Sequence, residues 1–463
     1  MQADRLHYDE RTSRHFISTR NACKLCAPLG ASIVFRGIEN CIPLIHGSQG
    51  CSTYIRRYII SHFKEPIDIA SSNFSEQSAI FGGGDNLKTA LDNLTRQYQP
   101  EAIGIATTCL SETIGDDVGL YLREYAKSKK NGNGNGRIPV IISVSTPSYR
   151  GTHMEGFHEA VRAVVENIAQ GGPRRGSVNL IPGFLSAEDL RHLKEILSNC
   201  GIEHTLLPDY SETLDGESWA EYQKLPAGGT RMVSIINMGR AQTTIQFGGS
   251  LKGRESAAAS LEERFGVPAL ILGIPIGIRE TDRFFAALTE RTGAPVPLKF
   301  GKERGRLIDA YIDGHKYLSG KRAILYGEAD FVAAMASFLD EIGIFPAVCA
   351  TGARTGNFRE TVMAGIENNR EEPSILEDTD FITLMDVCKD TQADIVIGSS
   401  KGYSLARKLG IPLVRAGFPI HDRIGGQRIL HVGYRGAQQL FDRIVNALIE
   451  AQQEASSVGY SYV

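Results

Sequence analysis

The sequence predicts an α/β protein of three Rossmann-like domains, each a parallel sheet flanked by helices. Short apolar runs are followed by a turn and an amphipathic segment, again and again, the signature of parallel sheets covered by helices. The chain has 463 residues, which at about 150 residues per domain suggests roughly three domains. Apolar residues make up 42%, enough for large cores. The break GGPRRG (171–176) separates the first two units, giving limits of 1–172, 173–318 and 319–463.

In chain order, PLGASIVFRGI after Cys26 reads as a helix, and a second helix covers 52–62. Leu87, Leu91, Leu94 and Tyr98 then recur on one helical face. EAIGIATTC (101–109) is a strand, and the SETIGDD segment opens a helix with Ser111 as its cap. KKNGNGNGR (129–137) is a flexible surface insert. PVIISVSTPSY (139–149) is the next strand, followed by the helix GFHEAVRAVVENIAQ. Past the break come strand SVNLIPGF, helix DLRHLKEILSNCG, strand IEHTLLPDY, then VPALILG and PIGIRETDRFFAALTER. KRAILYG opens the third unit, which continues through EADFVAAMASFLDEIG, FPAVCATG, ADIVIGSSKG and IPLVRAGFP.

Several function classes are excluded. A net charge of −3 gives no electrostatic footprint for nucleic acid or an anionic membrane. No apolar run reaches the roughly 18 residues of a membrane span, and the charged start MQADRLHYDERTSRHF lacks a signal core. The expectation is a soluble cytoplasmic protein. No GxxxxGK[ST] or strand-borne GxGxxG occurs, and GGGDN, AGGT and GGSLKG read as turns, so neither ATP hydrolysis nor ordinary dinucleotide binding is expected.

The eight Cys are too sparse for a disulfide scaffold, and five of them (Cys23, Cys26, Cys41, Cys51, Cys109) crowd the first quarter. In a cytosolic chain such clustering points to metal or redox chemistry. Ligands of parallel α/β sheets gather at the carboxyl ends of strands. Cys109 and Ser148 each follow a strand there, while Cys51 and Cys26 precede helices whose N-termini favour a thiolate. Thiolates select zinc, copper or iron–sulfur centres. Zinc sites bring ligands in close pairs, whereas CKLC is the single pair in this sequence. Well-separated Cys in Gly-rich loops suit a cluster. On spacing alone, a cluster and buried structural cysteines both remain open. Cys23 and Cys41 read as packing residues, as do Cys200, Cys349 and Cys388. His46 is placed to donate a hydrogen bond to a thiolate. His62, His153 and His158 read as surface or helix-packing residues.

HGSQGC, HFKEP, AIFGG, TTCLSETIGDD, STPSY and GFPIHDR, in this order over nearly the whole chain, resemble the β-type subunits of nitrogenase component 1. The resemblance implies that Cys26, Cys51 and Cys109, spaced 25 and 58 residues apart, bind half of an eight-iron, seven-sulfur P-cluster shared with an α-type subunit in an α2β2 heterotetramer. Ser148 matches the serine that ligates the oxidised cluster. Gly47 and Gly50 match the backbone that passes close to it. Phe81 and Ile114 match the apolar docking spots of an ATP-hydrolysing iron protein. Glu65 matches an interface metal carboxylate, although Lys64 stands where the family has arginine. The α-subunit motifs that hold the catalytic cofactor are missing from this sequence, which implies an electron relay rather than the seat of catalysis. Within the family, CSTYIRRYIISHFKEP is similar to nitrogenase-like reductases of the methylthio-alkane type. It is also similar to the scaffold subunit for iron–molybdenum cofactor assembly, whose interface carries a four-iron cluster instead.

Overall fold

The computed structural model describes residues 23–131, 138–367 and 371–458. The charged N-terminal stretch and residues 132–137 of the Gly/Asn insert lie outside the described residues. Three sheets form, and every strand pairing within them is parallel. This is the α/β class that the alternating pattern predicts.

The first sheet holds β1 (Cys41–His46), β2 (Ala70–Ser71), β3 (Ala102–Thr107) and β4 (Val140–Val144) in the order β2-β1-β3-β4. The second holds β5 (Val178–Ile181), β6 (His204–Leu206), β7 (Thr243–Phe247) and β8 (Ala269–Leu272) in the order β6-β5-β7-β8. The third holds β9 (Arg322–Gly327), β10 (Phe345–Thr351), β11 (Ser374–Leu376), β12 (Ile395–Gly398) and β13 (Leu413–Arg415), ordered β11-β10-β9-β12-β13. Strands β1 and β3 are buried along their whole length, as expected where helices cover both faces of a parallel sheet.

Seven helices frame the first sheet: α1 (Ala27–Arg36), α2 (Gln49–Phe63), α3 (Glu76–Phe81), α4 (Gly84–Tyr98), α5 (Cys109–Thr113), α6 (Val118–Asn131) and α7 (His153–Ile168). Leu87, Leu91 and Leu94 of α4 are buried in a satellite core against β1 and β3. On the opposite face Phe35 of α1 lies over Gly104 of β3, where a Cβ would stand 2.1 Å from the ring. Only glycine admits that stacking. One main core runs from Leu29 to Leu448 and includes residues near all three sheets. The last helix, Gly433–Ala455, turns back to pack on helices Gly277–Thr292 and Leu298–Leu318.

Two expectations about local structure are corrected. The helix expected from Ser111 is two helices, α5 and α6. Thr108 caps α5, accepting from the Ser111 N–H, while the Ser111 hydroxyl accepts from the Thr108 N–H at 2.9 Å in a capping box. The helix expected at 52–62 begins at Gln49, so Cys51 lies inside its first turn.

Candidate functional site

Because β1, β3 and β4 are parallel neighbours, the loops that leave their carboxyl ends share one edge. They carry Cys51, Cys109 and Ser148. Cys26 reaches the same edge from the other direction, as the N-cap of α1, and its backbone bridges Thr152 at the cap of α7. Two glycines hold that junction. A Cβ on Gly30 of α1 would stand 1.8 Å from the His153 carbonyl, and one on Gly156 of α7 would stand 2.0 Å from the Ala27 carbonyl. The helices therefore cross with backbone against backbone. The His153 N–H donates to the Leu25 carbonyl (3.0 Å), and the Leu25 N–H donates to His153 Nδ1 (3.3 Å). With Nδ1 accepting, His153 Nε2 carries the proton toward Glu328 at 3.0 Å.

The four sequence-identified residues meet. The Ser148 N–H donates to Cys109 Sγ (3.2 Å), Ser148 Oγ accepts from the Ala27 N–H (3.2 Å), and the Ser148 side chain lies close enough to act on the Cys26 thiol. The Ser48 hydroxyl donates to Cys51 Sγ at 3.6 Å. Desolvation raises the Cys26 thiol above its ordinary pKa. The nearby Cys109 and Cys51 thiols add to the rise, while Ser148 and the Lys401 ammonium oppose it. Lys401, itself lowered by burial, lies over the Tyr58 ring. Cys26 and Cys109 are exposed and Cys51 is half-buried, an unusual state for a residue type that is normally buried. Exposed Tyr54 lies one turn after Cys51 in α2, exposed Leu110 follows Cys109 in α5, and exposed Tyr149 follows Ser148 in its loop. Sequence reasoning missed these exposed apolar side chains, because residue type and chain position do not announce exposure. Among the described residues no three His, Cys, Asp or Glu side chains are grouped to hold a single metal ion.

His46 departs from expectation. Its Nε2 is 3.1 Å from Asp116 Oδ2 and its Nδ1 is 3.1 Å from Ser72 Oγ, so neither ring nitrogen donates to a thiol. The reason is its full burial at the carboxyl end of β1, where Asp116 and Ser72 take both ring nitrogens. Its contribution to the site runs through its carbonyl, which accepts from Thr108 N and Thr108 Oγ1 and so fixes the cap before Cys109. Gly47 is required there, since a Cβ would stand 2.2 Å from Thr108 Oγ1. Gly50 faces open space, its nearest atom 3.8 Å away on Ser48.

Phe81 is 85% exposed at the end of α3, and Ile114, half-buried, caps α5. The Gly83 N–H donates to both oxygens of Asp116 (3.1 and 3.2 Å), which brings the Phe81 turn beside the Ile114 loop. Glu65 lies beyond the far end of α2, about 20 Å from Cys51 at 1.5 Å of rise per residue. Burial and nearby Asp215 raise its carboxyl, while Arg428 and a Gly216 backbone hydrogen bond oppose the rise. It does not join the thiols. His62 and His153 are buried rather than superficial: His62 accepts from the Ile420 N–H at 2.9 Å, and His153 clamps the Cys26 segment as above. His158 packs under cover on α7.

The profile of the nitrogenase component 1 type oxidoreductases matches residues 26–449, from Cys26 into the last helix. The chain belongs to that family. It is 37% identical over 435 residues to the nitrogenase molybdenum-iron protein β chain of Clostridium pasteurianum, covering 93% of each chain. It is 35% identical to the nitrogenase vanadium-iron protein β chain of Trichormus variabilis, covering 91% of this chain and 92% of that one. The solved structure of nitrogenase Cp1 at pH 6.5 superposes with a TM-score of 0.91 at 35% identity, over 97% of this chain and 98% of that one. This nitrogenase-family chain is thus a β-type oxidoreductase subunit with no helix, among the described residues, long and apolar enough to cross a membrane.

Proposed function

We propose that this chain is the electron-relaying β-type subunit of a component 1 complex. Cys26, Cys51 and Cys109, with Ser148 beside them, would hold its half of an interfacial eight-iron, seven-sulfur P-cluster. The observation that carries this reading is the convergence of three thiols, each at the start of a different helix, on one edge of the first sheet. Exposed apolar side chains, Tyr54, Leu110 and Tyr149, lie close to them in the chain. Soft thiolates suit iron–sulfur chemistry, and exposed apolar side chains suit a protein interface. The α-type subunit supplies the remaining ligands on this reading, and two such pairs form the α2β2 assembly.

Bound there, the cluster supplies one-electron storage between donor and acceptor. The protein's part is positional. The α1–α7 crossing fixes Cys26, the Thr108 cap fixes Cys109, and the first turn of α2 fixes Cys51. The Ser48 hydroxyl and the Ser148 N–H point hydrogen bonds at sulfur, which tunes potential. Ile80 and Phe81 present an apolar surface that would receive an ATP-hydrolysing iron protein, with Ile114 nearby, and the α-type subunit would hold the metallocofactor that accepts the electrons. The names of the relatives favour dinitrogen as the substrate of the complex. The CSTYIRRYIISHFKEP segment keeps a methylthio-alkane reductase beside it. Iron and sulfide analysis with EPR on the anaerobically purified α/β complex tests the reading. Close to eight irons per interface, with a signal on oxidation, is expected. About four irons with a reduced-state signal would move the chain to the cofactor-assembly scaffold, and an iron-free complex would end the cluster reading.

A further inference from the structure

The motif AIFGGG is absorbed only in part by docking; its glycines have another task. A Cβ on Gly83 would stand 2.3 Å from the Phe74 ring and 2.8 Å from Asp116 Oδ2, and one on Gly84 would stand 2.7 Å from Tyr121. The turn after Phe81 is therefore moulded onto three side chains. Asp116, with its side chain only 2% exposed, accepts from Gly83 N, Tyr121 OH and His46 Nε2, each at 3.1 Å in its shortest contact. With His46 donating through Nε2, its Nδ1 accepts from the Ser72 hydroxyl, and Ser72 Oγ accepts from the Gly47 N–H at 3.0 Å. Phe74 adds a parallel path. Its ring meets His46 edge-on at 4.9 Å, and its N–H donates to the Gly47 carbonyl at 3.0 Å. The next residue, Ser48, donates to Cys51 Sγ. An unbroken set of bonds thus joins the exposed Ile80–Phe81 surface to one sulfur.

We propose that Asp116 and His46 are positioning residues that couple occupancy of the Ile80–Phe81 surface by a protein partner to the electronic environment of Cys51. The inference rests on the cluster reading above. A partner that presses on Phe81 moves the Gly82–Gly84 turn. Asp116, His46 and Ser72 carry that movement to Gly47, and the Ser48 hydroxyl changes its distance to sulfur. Hydrogen bonds to ligand sulfur set the potential of a bound cluster. Coupling is reciprocal, so cluster oxidation state changes partner affinity by the same factor.

The test is an EPR-monitored redox titration of the α/β complex, with and without the iron protein docked, for wild type, Asp116→Asn and Ser48→Ala. Wild type shifts its midpoint on docking, and its affinity for the iron protein differs about fivefold or more between oxidation states. Both variants keep full iron content and dock within about threefold of wild type, since neither alters the contact surface. Both lose the shift and the affinity difference. Ser48→Ala lies outside the turn, so it reports even where Asp116→Asn fails to assemble. Wild-type shifts in both variants, or no shift in wild type, overturn the coupling while leaving the cluster reading intact. Absence of any cluster signal in wild type overturns the cluster reading and the coupling with it.

Discussion

Gly30→Ala isolates the α1–α7 crossing. The new methyl would start 1.8 Å from the His153 carbonyl, and ordinary contact begins at 3.4 Å, so the helices must part by about 1.6 Å. Overpacking of this kind costs about 1–3 kcal/mol. The same displacement stretches the two Leu25–His153 hydrogen bonds, worth about 1 kcal/mol each. Alanine returns about 1 kcal/mol of helix propensity, leaving a net loss of about 2–4 kcal/mol. At about 2.1 cal/mol/K of unfolding entropy per residue, a chain of this length loses about 1 °C of Tm per kcal/mol, so calorimetry should show a fall of about 2–4 °C. The control is Gly301→Ala with Gly305→Ala in helix Leu298–Leu318, where nothing lies within 4 Å of either added Cβ. There propensity acts alone and Tm should rise by about 2 °C. If Gly30→Ala rises with the control, the crossing is not the constraint that seats Cys26.

His62 gives a pH prediction. Burial, chiefly, pushes its pKa down from 6.5 to about 3, with His421, Lys64 and His431 adding to the fall and the Ile420 backbone hydrogen bond opposing it. Between those values the unfolded chain binds a proton that the folded chain refuses. Stability therefore drops by about 1.4 kcal/mol per pH unit on acidification through that window and is unaffected above it. His62→Gln, which can still accept from Ile420, should flatten the dependence of Tm on pH between 6 and 4; parallel curves would contradict this. Phe81→Ala should leave Tm unchanged, because the side chain is 85% exposed, while weakening iron-protein docking by about 30-fold, as loss of an aromatic anchor does; unchanged docking refutes the docking surface. Ser148→Ala strands the Ala27 N–H at a cost of about 1–2 kcal/mol. It should alter the oxidised-state EPR signal while sparing assembly; loss of assembly would show that Ser148 is not an optional ligand.

The convergence of Cys51, Cys109 and Ser148 was legible because parallel strands put their carboxyl ends on one side, whatever the loops do. Other features were hidden for physical reasons. Strand β1 contains Pro43, which argues against a strand bonded on both sides, yet it pairs with both β2 and β3. Strand β7 reads as polar because Thr243, Thr244 and Gln246 are buried. They are satisfied by the Pro268 carbonyl, Asn179 Nδ2 and the Ala258 N–H respectively. Gly30 stood in plain view in CAPLG, but a glycine inside a helix shows its purpose only when the crossing helix is placed. For His46, spacing gave proximity to Cys51 in the chain and concealed Asp116, which arrives from 70 residues away.

The main core that runs from Leu29 to Leu448 gives the chain the character of a single casting. The three sheets share apolar contacts instead of meeting across wet seams, and the closing helix ties the end of the chain back to its middle. Cleavage near Gly172 would sever one strand of covalent chain and leave most of the fastening in place. On the proposal that the thiol-bearing face meets a second protein, that is an advantage. Small displacements between sheets, which elsewhere give proteins their hinges, would be divided among many side chains before reaching Cys26, Cys51 or Cys109. On the same proposal, the size of the fold serves to hold three small groups still.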